Sequence, residues 1–233
     1  MFGVGTLVGQ VESARANLDD AIGLRDAHHT ESMRAFDSAL SVAASRLEEA
    51  FYATKSRADE VLAPAVDASD VFDRDLEGTP ARELFVEARV RVLGAENEIQ
   101  RAMAGADHAV AAANCGRGLV GAVALATVVD AIRDGEHDRP ESTAAARARR
   151  ESAVEALRGT RSVSPRPVAR VLAEPAWEAL ADAEERLAGY GGDEIDSRDV
   201  LAALGEYALA EHLANAVPEV TERVTGELRA AAD

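Results

Sequence analysis

Gly116-Arg117-Gly118-Leu119-Val120-Gly121 has the letters of a G-x-G-x-x-G phosphate loop, and an apolar stretch follows it. In dinucleotide chemistry those glycines turn a strand sharply into a helix, whose N-terminus then carries the pyrophosphate. Here the run follows Ala109 to Asn114, the tail of a helical seam, and no second strand ending in a ribose-binding acid comes after it. Glycines that break a long helix and let backbones approach closely are the simpler reading. A helix N-terminus beside Arg117 would still suit an anion.

The remaining chemistry-bearing residues are sparse. A carboxylate-bridged di-iron bundle needs Glu-x-x-His on two helices. The chain has only Asp26/His29 and Asp134/His137 at that spacing, each at an expected helix end, and no H-E-x-x-H. His108 and His212 fall on helices as ordinary boundary residues. Cys115 is the single cysteine and has no neighbouring histidine, so it reads as a small packing residue. One cysteine also excludes an internal disulfide and a Cys-based zinc site. The segment 191–199 lacks oxygen ligands at the positions a calcium loop requires. Carboxylates are too numerous for any pair to stand out as acid and base. No catalytic, cofactor or metal residue is therefore expected.

Arginine gives the strongest residual signal. Residues 135–170 carry eight arginines against five carboxylates, inside a chain of net charge −17. Arg147, Arg149, Arg150 and Arg158 could contact phosphate of nucleic acid. However, Glu151 and Glu155 interleave them, and acidic flanks are available in the same chain. Pairing with the protein's own surface, or with a sister subunit's, explains the arginines as simply.

These residues stand on helices. The 233 residues include 50 alanines and 4 % aromatics, a composition for thin, closely packed helices. Met33, Phe36, Leu40, Ala43, Leu47, Ala50, Thr54, Ala58 and Val61 step by threes and fours, the spacing that keeps one helix face against a partner. Phe85, Ala88, Val92, Ala95, Ile99, Ala102, Ala106, Ala109 and Ala113 do the same with one stutter.

The predicted helices are about Thr6 to Ala27, then a helix capped by Thr30 and stopping before Pro64, then one opened by Thr79-Pro80 and running to about Asn114. Leu119 to Arg133 is apolar nearly all round and should be buried on several sides. Beyond a Pro- and Ser-containing stretch near residue 160, three short helices are expected. Pro175, Asp196 or Ser197, and Pro218 would open them, and Trp177, Leu180, Leu187 and Tyr190 would face inward.

The fold class expected is all-α. Residues 1–160 would form an elongated antiparallel coiled-coil-like bundle with an acidic connector at 63–79 and the apolar helix 119–133. Residues 161–233 would form a small helical domain. Forty-two acidic residues against 24 arginines and the lone Lys55 suit a cytosol rich in salt, where the Debye length falls to about 3 Å at 1 M. Phe2 to Val8 is too short and lacks the basic flank of a signal segment, and the apolar run Leu119–Val129 falls short of the ~20 residues of a membrane span. The expectation is a cytoplasmic, non-catalytic interaction or scaffold protein. It would associate through Phe36, Leu40, Leu47, Phe85, Val92 and Ile99, with itself as the first candidate partner. A nucleic-acid- or chromosome-associated regulator using segment 139–170 is the alternative.

Overall fold

The computed structural model describes residues 26–66, 76–105, 107–136, 143–163, 166–188 and 196–232. Among them the chain is all-helical: α1 Asp26–Val66, α2 Pro80–Ala104, α3 His108–Asp134, α4 Thr143–Thr160, α5 Arg166–Ala188 and α6 Ser197–Ala232. The helix expected over residues 6–27 lies outside the described residues except at its end, where Asp26 and Ala27 already belong to α1.

Successive helices alternate in direction. Asn114 Nδ2 donates to the carbonyl of Glu98, and Gly121 lies near Val92, so α2 and α3 are antiparallel. His108 meets Asp37 and Asp130 meets Arg57, so α1 runs with α3. Arg46 with Glu219, and Ser38 with Glu227, set α6 against α1. Arg150 with Glu184, and Arg161 over Trp177, set α5 against α4.

Two helices organise the bundle. α3 packs against α1, α2 and α6, and α6 packs against α1, α3, α4 and α5. The two heptad seams therefore do not zip against one another. Each lies along α3, with little contact between α1 and α2. This accounts for a helix without a polar face, because Leu119, Ala122, Val123, Leu125, Val128 and Val129 are covered from several sides. By length and mean hydropathy of 1.6 over its central window α3 could cross a bilayer, yet 61 % of that window is buried by the rest of the chain. One large apolar cluster joins residues from Ala35 of α1 to Val224 of α6, and a small one of Ala44, Ala102, Ala111 and Ala112 lies between α1, α2 and α3.

Several expected boundaries move. The long second seam breaks at Gly105 and Asp107, not at the glycines near residue 116. Asp107 caps α3 through its side chain and the Val110 N–H, 3.1 Å apart. Gly116, Gly118 and Gly121 lie inside α3, where they permit contact. A Cβ on Gly118 would come within 3.0 Å of Phe51 and Ile99. Without a free N-terminus at Gly116–Gly121, there is no phosphate loop. α3 ends at Gly135, whose φ of 80° is the left-handed conformation glycine accepts readily.

Thr30 is inside α1, which begins at Asp26, and Pro64 lies within its last turn instead of ending it. Pro175 and Pro218 are likewise interior to α5 and α6, so the expected three short C-terminal helices are two long ones. An interior proline removes one backbone bond and costs about 3 kcal/mol. Buried neighbours such as Ala176, Ala179, Val217 and Val220 provide the compensating packing. The start of α2 follows the sequence signal: Thr79 accepts from the Arg82 N–H, Pro80 comes first and Glu83 lies in the first turn. Leu76 from the connector is buried.

Candidate interaction surface

The six seam residues named as contact candidates are all interior. Phe36, Leu40, Leu47, Phe85, Val92 and Ile99 are buried within one molecule and join its core. They hold the helices of the chain to one another, so a surface for another molecule must be sought elsewhere.

A candidate face lies one residue round on α2. That helix buries Ala81, Leu84, Phe85, Ala88, Val92, Ile99 and Ala102. On the opposite side Val86 is 52 % exposed, Val90 65 % and Leu93 50 %. Successive residues in an α-helix are 100° apart. These three, with Glu83 before them and Asn97 and Gln100 after, step 3, 4, 3, 4, 3 and form a second stripe facing away from α3. Among the described residues, only Val110 and Trp177 are other large apolar side chains comparably exposed. Trp177 was expected to face inward, but it stands at the surface beneath the Arg161 guanidinium, 5.6 Å from the ring centroid.

The flanks of the stripe are charged. Glu87 accepts from Arg91 at 2.5 Å and from Arg198 of α6 at 3.0 Å, while Glu96 faces Lys55 at 3.7 Å. Arg89 lies over Phe85, 5.7 Å from the ring centroid. Gly94 leaves the centre open, since a Cβ there would have no atom within 4 Å. Asn97 Nδ2 donates to the Leu93 carbonyl at 3.1 Å.

The alternative arginines are turned onto their own chain. Arg149 donates to Glu211 at 2.9 Å, Arg150 to Glu184, and Arg158 to Glu155 at 3.4 Å. Arg147 is exposed. The pairing spans α4, α5 and α6, and thus fastens the second half of the bundle.

A cleft of about 600 Å³ between α2, α3, α5 and α6 gathers Arg91, Arg117, Arg186, Arg198, Glu87 and Glu206 around Gly121, Ala124 and Ala202. Glu206 is 8 % exposed and accepts from Arg186 Nε at 2.9 and 3.0 Å. Burial pushes its carboxyl from the ordinary 4.5 up to about 7, against the pull of Arg186. The neighbouring Asp182 is raised as well, again mainly by burial. Among the described residues that line this cleft there is no Ser, Thr, Cys or Lys; Cys115 is buried elsewhere on α3, its thiol pushed up to about 12 by desolvation. His108, expected as an ordinary boundary residue, bonds Asp37 between α1 and α3. No cluster of three or more metal-ligating side chains occurs among the described residues.

Glu206 carries a pH prediction. An acid whose pKa is higher folded than unfolded takes up a proton on folding, so its contribution is greatest below about pH 4.5 and is lost as pH rises through about 7. Glu206→Gln should remove that dependence. Between pH 5 and pH 8, wild type should lose about 2–3 kcal/mol relative to the variant in urea unfolding. Parallel pH curves for the two proteins would show that the carboxyl is ionised throughout.

A family model described as a domain of unknown function (DUF8264) matches residues 33–226. No curated protein and no solved structure matches the chain.

Proposed function

The chain belongs to the DUF8264 family, a domain of unknown function, and from that premise we infer that its work is association: a non-catalytic helical scaffold that joins to a second copy of itself through the outer face of α2. The observation that carries this reading is the exposure of Val86, Val90 and Leu93 at the spacing of a helix–helix seam. Singly exposed apolar residues are ordinary on any surface. Three in one stripe on a helix already packed on its other side are the pattern of a contact left unmade in the isolated chain.

The surroundings support a salt-rich cytosol as the working environment. Net charge −17 opposes close approach of two copies in dilute buffer, and molar salt screens that repulsion while strengthening apolar burial. The arginines of α4 support the same reading over nucleic-acid contact, since Arg149, Arg150 and Arg158 are engaged by carboxylates of the chain itself.

Light scattering in molar KCl tests the reading. Wild type should show a concentration-dependent dimer. Val90→Asp, which places a charge in the stripe without touching the core, should weaken it on the order of 100-fold. A wild-type protein that stays monomeric at every concentration would overturn the function.

A further inference from the structure

We propose that the two copies pair through α2 as a parallel, in-register coiled coil. This rests on the self-association inferred above and adds its geometry. In heptad terms Glu83, Val90 and Asn97 occupy a positions, and Val86, Leu93 and Gln100 occupy d positions. Valine at a with leucine at d favours two parallel strands, and a lone asparagine at a fixes register by pairing with its own copy. Among the described residues Asn97 has its own Leu93 carbonyl as side-chain partner, leaving its side-chain oxygen to accept from the second copy.

The flanks agree with the same register. In a parallel pair each g residue faces the e residue five positions later on the other helix. Arg82 then meets Glu87 of the second copy, and Glu96 meets Arg101, two attractive pairs repeated by symmetry. Gly94, at the intervening e position, has open space around it and admits the other helix closely. The antiparallel arrangement that centres the apolar residues sets Val90 against Leu93 but leaves the Asn97 amide against Val86. It keeps only the Arg89–Glu96 attraction. The two Glu83 carboxylates meet at the exposed first turn, where molar salt screens them.

Disulfide trapping of Glu83→Cys and Gln100→Cys tests the direction, because residues 83 and 100 lie about 25 Å apart along the helix. The native Cys115 thiol is buried and will not compete. In the parallel pair each variant alone oxidises to a covalent dimer, and the two mixed give no hybrid beyond background. Hybrid formation in the mixture, with neither variant linking to itself, would overturn the parallel register while self-association stands. A scattering dimer that neither variant traps would overturn α2 as the contact. No dimer by scattering before oxidation would remove the functional reading itself.

Discussion

Gly205→Ala is expected to destabilise the protein more than any other single methyl group added to it. A Cβ at this buried position of α6 would lie 2.7 Å from the Val120 carbonyl oxygen and 2.8 Å from Val120 Cα. Those are backbone atoms of α3, so no side-chain rotation relieves the clash and the two central helices must separate. Overpacking ordinarily costs 1–3 kcal/mol, and a backbone contact belongs at the upper end, about 3 kcal/mol or more. Gly226→Ala, later in the same helix, provides the control. It is exposed, with no atom within 4 Å of the added methyl, and should gain about 0.5–1 kcal/mol from helix propensity. Urea unfolding of both variants decides the matter. Equal midpoints for the two would mean that α3 and α6 are not in backbone contact.

Phe51→Ala, which removes side-chain bulk instead of adding it, should cost at least as much. Phe51 is fully buried, packs edge-on to Tyr52 at 4.9 Å, and fills the space Gly118 leaves on α3. Because the facing residue is a glycine inside a helix, it has no side chain to swell into the cavity, and the loss should reach about 3–5 kcal/mol. Leu47→Ala, one turn earlier and equally enclosed, should lose about 2–5 kcal/mol. The same truncation at Leu93, half in solvent, should fall within about 0.5 kcal/mol for the monomer. Comparable losses at Leu93 and Phe51 in dilute, monomeric solution would show that the outer stripe of α2 is already covered.

How far the residues disclosed this arrangement depends on what each signal measures. Helical periodicity reports which face is covered, and it marked Phe36, Leu40, Leu47, Phe85, Val92 and Ile99 as covered positions, although the chain's own helices cover them and not the partner they were assigned to. It does not report what covers that face. The two seams suggested mutual pairing, whereas both lie on α3, whose apolar circumference was the clue that a third helix stands between them. Punctuation misled where tertiary packing outweighs local preference. Pro175 and Pro218 are inside helices, Gly116 and Gly118 are contact positions, and the real break, with Gly105 closing α2 and Asp107 opening α3, turns on a cap formed by one carboxylate. The stripe of Val86, Val90 and Leu93 was legible in principle. It is offset by one residue from the Phe85 seam, and the stronger seam masked it. The cleft with Glu206 was not legible, because its groups come from residues 87 to 206 and only folding brings them together.

The greasy circumference of α3 also has a cost during synthesis. Its last residue is made about a hundred residues before the end of α6, the helix that closes over its remaining side. At ~5–20 residues per second, the nascent chain carries a nearly membrane-like segment half-clothed for roughly 5–20 s. A cell making this protein must keep that segment from translocons and from other nascent chains for that interval.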